Sequence, residues 1–306
     1  MKPLVSVKVI TYNHVHFIKA CLDSLLAQKT DFPFEIVIGE DYSTDGTREI
    51  VKKYARLFPK KIRVIFSDTN VGPFLNGLRI SKACRGKYIA WCDGDDYWTD
   101  CYKLKKQVDF LEKNPEYGLI YSDIIFINEK NEEIQPNKYF IERRKKSPSG
   151  DVFWELLKNN FINTNTAIIR SNLYLPYLPS NQKEMKQKWY IHDYWNWLII
   201  SRHSKVMFFR EKMAAYRTHT GNLTNSKDRF FRKNKIGFVK YDIVKQISRN
   251  SVNKKSKILI DKILISIILN KKSTFKLRFL AFVQLIRFFP SFSFLINTMK
   301  IKYQNK

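Results

Sequence analysis

Short apolar runs and longer amphipathic stretches alternate along the first hundred residues. "LVSVKVITY" (4–12) is a β-branched run long enough for one buried strand. "HFIKACLDSLLAQ" follows with Phe17, Ile18, Cys21, Leu22, Leu25 and Leu26 at helical spacing. "FEIVIGEDYSTDGT" (34–47) predicts a second buried strand ending in acidic and turn-forming residues, and "REIVKKYARLF" a second amphipathic helix capped by Ser43 or Asp45. "IRVIFSD" predicts a third strand. "NGLRISKACRG" predicts a helix stopped by Gly86 at its C-terminal cap, and "KYIAWCD" a fourth strand, with a helix around "TDCYKLKKQVDFL". Four β-α repeats in succession imply an α/β fold with a mostly parallel sheet flanked by helices. Open sheets of this kind bind ligands beyond the carboxyl ends of their strands, where Thr11, Tyr12, Asp41 and Asp93 to Asp96 all fall.

The second half is less regular. A charged loop "NEKNEEIQPNKYFIERRKKSPSG" precedes a strand-like "TNTAIIR", an aromatic helix "HDYWNWLIISRH" and a strand "KVMFFREKMAAYRTH". The composition then shifts near 222–227. The expected organisation is one domain over 1–225, divided near 125, and a basic helical region over 226–306.

With 44% apolar and 15% aromatic residues in 306, the chain has ample material for a packed core. Its net charge is +27, and residues 226–306 alone hold 20 basic against 3 acidic side chains. Such a surplus meets an anionic partner or forms a solvated basic surface. The four cysteines form no C-x-x-C pair, and "MKPLVSVKVITYN" has no apolar stretch long enough for a signal peptide. The expectation is a reduced, cytoplasmic protein without structural zinc. No run reaches the 18 to 20 or so apolar residues of a spanning helix, so any membrane contact is expected to be peripheral.

Against that positive background, "YIAWCDGDDYW" (88–98) places Asp93, Asp95 and Asp96 within four positions. Two carboxylates two residues apart on an extended backbone share a side and face one hard divalent cation, Mn²⁺ or Mg²⁺, that in turn holds a diphosphate. The alternative is a capped turn in which Asp93 or Asp95 accepts backbone hydrogen bonds before the next helix.

"VITYNH", "GEDYSTDGT", "NVG", "RGKYIAWCDGDDYWTD", "HDYWNWL" and "YRTH", in this order and spacing, resemble a family 2 glycosyltransferase of the GT-A fold over roughly residues 4 to 222. The resemblance implies transfer of a sugar from a nucleotide-sugar donor, UDP favoured, to an acceptor hydroxyl with inversion, on a glycan or lipid-linked acceptor of a bacterial surface polymer. It implies that Thr11 and Tyr12 line the base pocket, that Asp41 accepts a hydrogen bond from the base, and that Asp93 faces the ribose or metal. It also implies Asp95 as the direct metal ligand, with His219 near the metal or diphosphate, Arg217 on phosphate, and Asp193 as the base for the acceptor. Two departures stand out. His192 precedes Asp193 where relatives carry an acidic residue, and Gly77 and Leu78 stand where many carry an Arg-Asn pair, leaving Asn76 or Arg79 to substitute.

Two other functions compete. A nucleic-acid-binding module is motivated by the net charge and by "DRFFRKNKIGF", but no helix-turn-helix, zinc-finger or RNP pattern is present, and nucleic acid is not expected as a partner. A nucleotidyltransferase would also use metal-bound aspartates, but calls for a Gly-rich phosphate loop, and "TYNHVHF" holds no glycine. In the tail, "FKLRFLAFVQLIRFF" sets Lys276, Gln284 and Arg287 on one side of a helical wheel. That pattern suits either a helix lying in an anionic membrane interface or a helical pair packed on the catalytic domain.

Overall fold

Val5, Val7 and Val9 are fully buried along β1 (Val5–Thr11), the strand around which the sheet of the computed structural model is organised. The structure describes residues 2–136, 140–142, 147–178, 192–221, 229–247, 254–270 and 273–288. They belong to two compact units, one described as far as residue 221 and the other from residue 229.

The first unit holds an eight-stranded sheet in the order β3-β2-β1-β4-β7-β6-β8-β5. Its strands after β1 are β2 (Phe34–Glu40), β3 (Ile62–Phe66), β4 (Tyr88–Trp91), β5 (Tyr97–Trp98), β6 (Tyr117–Ile127), β7 (Ile168–Arg170) and β8 (Lys205–Arg217). β1 pairs in parallel with β2 and β4, β2 with β3, and β6 with β8; β7 and β5 pair antiparallel with their neighbours. All seven residues of β2 are buried, as in a parallel strand covered on both faces. The flanking helices are α1 (Ile18–Leu26), α2 (Thr47–Leu57), α3 (Gly72–Ala83), α4 (Lys103–Lys113), α5 (Phe153–Lys158) and α6 (His192–His203). α1 buries Ile18, Cys21, Leu22 and Leu25 at the expected spacing, and each large aliphatic side chain so buried stabilises the fold by about 1.5–3 kcal/mol. The mostly parallel α/β sheet read from the sequence is the fold observed.

Two local expectations are corrected. Gly86 does not end α3 in a left-handed turn. It passes so close to β1 that a Cβ there would lie 2.5 Å from Ser6 N and 2.6 Å from Tyr88 O. "TNTAIIR" is a 3₁₀ turn over Thr164–Thr166 followed by only three strand residues. The eleven-residue β6 follows no clean alternation, because the ladder to β8 shifts register around Ser122 and Asp123.

The second unit is three helices, α7 (Arg229–Ile247), α8 (Lys254–Leu269) and α9 (Phe275–Phe288), that pack on one another. Val244, Ile260, Leu264, Leu277, Ala281 and Leu285 are among its buried residues. At Gly237 a Cβ would lie 2.7 Å from Leu277 Cδ2, so the glycine lets α7 approach α9. The polar side expected of α9 is observed in part: Lys276 is exposed, but Gln284 is buried, and Phe275 and Phe279 are 81% and 54% exposed. Among the described residues no helix is long and apolar enough to cross a membrane.

Candidate functional site

The loops after β1 and β2 are laced together. Asn13 N–H donates to Ser43 Oγ at 3.0 Å, Asn13 Oδ1 accepts from Thr44 N–H at 3.0 Å, and Val15 N–H donates to Asp45 Oδ2 at 2.9 Å. His14 N–H donates to Thr47 Oγ1 at 2.8 Å. Asp45 Oδ1 also accepts Thr47 N–H at 3.0 Å, but the N-cap of α2 is Gly46, in place of the Ser43 or Asp45 expected there. Asn13 and Tyr42 both sit at positive φ, 54° and 65°. Asparagine tolerates that conformation; for tyrosine it is uncommon.

Asp41 is 1% exposed, and its two oxygens accept Val71 N–H at 3.0 Å and Gly72 N–H at 2.9 Å. The carboxylate thus holds the start of α3, and a carboxylate with about four acceptor positions keeps capacity for a further donor. Thr11 is buried beside it, while Tyr12 and Tyr42 stand at the surface, 43% and 44% exposed. Asn76 and Arg79, the residues expected to substitute for the missing pair, brace the protein instead. Asn76 Nδ2 donates to Gly39 O at 2.8 Å, and Arg79 donates to Asn76 Oδ1 at 2.9 Å and Phe66 O at 3.0 Å.

Beyond β4 the ladder to β1 continues, with Cys92 N–H donating to Lys8 O at 3.1 Å and Gly94 N–H to Ile10 O at 2.9 Å. This fixes the acidic run alongside Thr11. A Cβ on Gly94 would lie 2.8 Å from Thr11 Cβ and Oγ1 and 3.0 Å from His14 Nδ1, so only glycine fits between the two aspartates.

The three carboxyl groups then part company. Burial, followed by the charges of Asp95 and Asp193, pushes Asp93 up to about 7, with Lys8 partly offsetting this. Burial, followed by the charges of Asp95 and Asp93, holds Asp96 well above the usual carboxylate range, and its Oδ1 accepts Arg217 N–H at 2.8 Å. Burial also pushes Asp95 up, but a hydrogen bond from His219 and the charges of His14 and His219 outweigh it and leave the group below its ordinary value.

His219 Nε2 lies 3.0 Å from Asp95 Oδ2. Its ring rests against Phe17, with centroids 4.9 Å apart, and meets the His14 ring edge-on at 6.2 Å. One ligand atom each of His14, Asp95 and His219 lies within 4.8 Å of the others. This donor set fits a divalent cation. His14 is the member that sequence reasoning missed. It stood inside "VITYNH", but a single histidine in a loop carries no ligand spacing until the fold brings its partners to it.

Arg217 is turned into the protein. Its side chain donates to Asp95 O at 2.8 Å, Asn128 O at 3.0 Å and Asn131 Oδ1 at 2.7 Å, and its guanidinium lies over the Phe17 ring at 4.7 Å. The residue is 1% exposed and ties the acidic run to the turn after β6.

Asp193 opens α6, anchored by buried Tyr194, Trp195, Trp197 and Leu198. Asp193 Oδ2 accepts from Thr164 Oγ1 at 2.8 Å and Oδ1 from Tyr194 N–H at 2.7 Å. Its charge is felt at both Asp93 and Lys8. Lys8 itself is buried, donates to Ser81 Oγ at 2.8 Å and is lowered by burial to about 8. Thr164, on the 3₁₀ turn, is a second residue that the sequence did not single out.

The family model described as Glycosyl transferase family 2 matches residues 6–174. An uncharacterized protein of Mycobacterium tuberculosis is 36% identical over 227 residues; the match covers 72% of this chain and 60% of that relative's length. Escherichia coli WfaP, named a UDP-Glc:alpha-D-GlcNAc-diphosphoundecaprenol beta-1,3-glucosyltransferase, is 30% identical over 231 residues, 73% of this chain and 81% of WfaP. Staphylococcus aureus TarS 1–349, crystallised with UDP-GlcNAc, superposes with a TM-score of 0.63 at 19% identity, covering 94% of this chain and 81% of the TarS chain. Mannosyltransferase PcManGT of Pyrobaculum calidifontis, in complex with GDP-Man and Mn²⁺, gives a TM-score of 0.58 at 15% identity, with coverages of 98% and 81%. These structural likenesses show a GT-A-like fold.

Proposed function

The chain belongs to glycosyl transferase family 2, and from that premise we propose that it is an inverting, metal-assisted transferase moving a sugar from a UDP-sugar to an acceptor hydroxyl. Membership leaves the nucleic-acid and nucleotidyltransferase readings without support. The observation that carries the proposal is the convergence of Asp93, the His219–Asp95 pair and Asp193 at the carboxyl ends of β1 and β4, the charges of Asp95 and Asp193 both raising Asp93.

Tyr12, with Thr11 beneath it, and Asp41 form the base-binding corner; Tyr42 adds a second exposed aromatic ring beside Asp41. Asp95 and His219 hold the divalent cation, with Asp93 next to it. When bound, Mn²⁺ or Mg²⁺ supplies Lewis-acid stabilisation of the departing diphosphate. Asp193 accepts the proton of the acceptor hydroxyl, while Thr164 and Tyr194 N–H orient its carboxylate and leave a lone pair on each oxygen. The acceptor oxygen forms its bond to the anomeric carbon as the bond from that carbon to the diphosphate oxygen breaks on the opposite face, so the configuration inverts. Arg217 acts as a positioning residue for the Asp95 backbone.

The acceptor we propose is a lipid-linked or growing bacterial surface glycan met at the cytoplasmic face of the membrane. WfaP, by its name, uses a diphosphoundecaprenol-linked acceptor. The exposed Phe275 and Phe279, with Lys276 exposed between them, suit peripheral contact with an anionic surface through 226–306.

The test is a screen of the purified chain against UDP-, GDP- and dTDP-sugars with Mn²⁺, Mg²⁺ or EDTA, reading nucleotide release and thermal shift. Metal-dependent stabilisation by UDP-sugars alone is the expected result. Silence across all three nucleotide classes would overturn the reading.

A further inference from the structure

His14 is held from both sides before any ligand arrives. Its backbone N–H is fixed to Thr47 Oγ1, and its Nδ1 lies 3.3 Å from Thr11 Oγ1. Gly94 keeps the acidic run close against both residues. With Nδ1–H donated to the threonine hydroxyl, the lone pair lies on Nε2. A hydrogen-bonded second ring nitrogen is the usual way a ligating histidine is oriented. On the other side of the cluster, Phe17 packs against the His219 ring and Arg217 fastens the Asp95 carbonyl.

From this geometry we infer that His14, Asp95 and His219 form a preassembled three-ligand centre that binds a divalent cation of the Mn²⁺, Co²⁺ or Zn²⁺ class in the absence of nucleotide. The inference deepens the metal assignment made above and rests on it. A cation held by carboxylate alone depends on substrate phosphate oxygens and takes Mg²⁺ readily. Two imidazole nitrogens and one carboxylate oxygen would shift the preference to the borderline metals, in the order Mn²⁺ below Co²⁺ and Zn²⁺. Ligation through His219 Nε2 requires its ring proton on Nδ1, so the 3.0 Å hydrogen bond to Asp95 Oδ2 gives way to the cation and the 3.2 Å bond now donated by Gly221 N–H is lost. Apart from the ligand pair itself, that exchange involves one exposed loop amide and leaves the contacts with Phe17 and Arg217 in place.

The experiment is Mn²⁺ titration of the nucleotide-free full chain by electron paramagnetic resonance, with pulsed detection of imidazole ¹⁴N couplings, on wild type and His14→Asn. One Mn²⁺ per chain with two imidazole couplings is expected in wild type, Mg²⁺ competing poorly. One coupling and an affinity lower by at least about tenfold are expected in the variant, since loss even of an outer-shell partner costs about 10- to 100-fold. The wild-type spectrum alone decides the point if the variant does not fold. A single coupling in wild type, or Mn²⁺ bound only after UDP is added, overturns the three-ligand centre and leaves the transferase reading intact. No binding of Mn²⁺ with or without UDP removes the metal assignment itself, and the nucleotide-sugar screen then judges the transferase reading separately.

Discussion

His219 Nε2 and Asp95 Oδ2 meet at 3.0 Å although 124 residues separate them in the chain. The antiparallel pairing of β5 with β8, and the bond from Arg217 N–H to Asp96, bring the end of β8 onto the acidic run. Asp95→Asn and His219→Ala are therefore expected to lose the thermal stabilisation that Mn²⁺ with UDP gives the wild type, and to lose turnover with it. A Mn²⁺ titration followed by differential scanning fluorimetry checks this; an undiminished shift in Asp95→Asn would remove the metal from this carboxylate.

Asp193 is oriented by Thr164 Oγ1 and by the Tyr194 N–H. General-base assistance is worth about 10²- to 10⁴-fold, so Asp193→Asn is expected to reduce kcat by that range while the UDP-induced thermal shift survives. Thr164→Val leaves the carboxylate present but freer to rotate, and a loss of about tenfold is expected. Single-turnover sugar transfer separates the two, and wild-type rates in Asp193→Asn would reject this residue as the base.

Much of this site was legible before the fold was known, and the boundary has physical causes. β1, β2 and β4 are buried on both faces and read as short, largely apolar runs, interrupted only by Ser6, Lys8 and Glu35, so their carboxyl ends, and with them Thr11, Asp41 and Asp93, could be placed from local pattern alone. β6 could not, because Ser122 and Asp123 interrupt its alternation where its register against β8 slips. His14 and Thr164 were invisible because each acts through a partner distant in sequence. Arg217 was legible as a residue of the site, but its surroundings were not. The resemblance implies a phosphate contact, and only the fold shows the side chain buried between Phe17 and the Asn128–Asn131 turn, with donors directed at both.

The role of Arg217 is testable in its own right. A phosphate-binding arginine, when replaced, weakens nucleotide binding without unfolding the protein; a buried strut does the reverse. Arg217→Met is expected to lower the melting temperature by several degrees, because Asp95 O, Asn128 O and Asn131 Oδ1 lose a charge-assisted donor that costs about 1.5–3 kcal/mol each to forgo. Metal-free UDP affinity per folded molecule, by calorimetry in EDTA at low temperature, is expected to stay within about twofold, since these three bonds all end on the protein itself.

Asp93 gives the site a pH dependence of definite sign. Its carboxyl ionises near pH 7 in the folded chain against 3.8 for a free one, burial being the main cause. Between these values the folded state retains a proton that the unfolded chain has lost, so this group's contribution to stability falls as pH rises from about 4 to 7. At about 1.4 kcal/mol for each pH unit between the two values, the loss comes to a few kcal/mol in all. Asp93→Asn is expected to melt several degrees above wild type at pH 8 in EDTA, by clearly less at pH 5, and close to it only near pH 4. Lys8, lowered to about 8, acts at higher pH and in the other direction, adding stability from about pH 8 to 10. Equal melting curves for wild type and variant at pH 8 would show that the charge is compensated where it sits.

Gly94 separates the two aspartates, and its requirement is spatial rather than conformational, since its backbone is not among the positive-φ glycines. A methyl group placed there would press on Thr11 Cβ and Oγ1 at 2.8 Å and on His14 Nδ1 at 3.0 Å, while Gly94 N–H is fixed to Ile10 O. Neither β1 nor the laced loop that carries His14 can retreat without breaking bonds to Ser43, Asp45 and Thr47. Gly94→Ala is thus expected to cost about 1–3 kcal/mol, as overpacking does. It is also expected to weaken Mn²⁺ binding through displaced ligands, with Asp93, Asp95 and His219 all still present. Gly118→Ala serves as a control remote from the metal: its Cβ would lie 2.1 Å from Ser204 Oγ, so stability falls there too while Mn²⁺ affinity of the folded chain holds. Equal metal affinity in both variants would mean that the acidic run and the His14 loop move independently of one another.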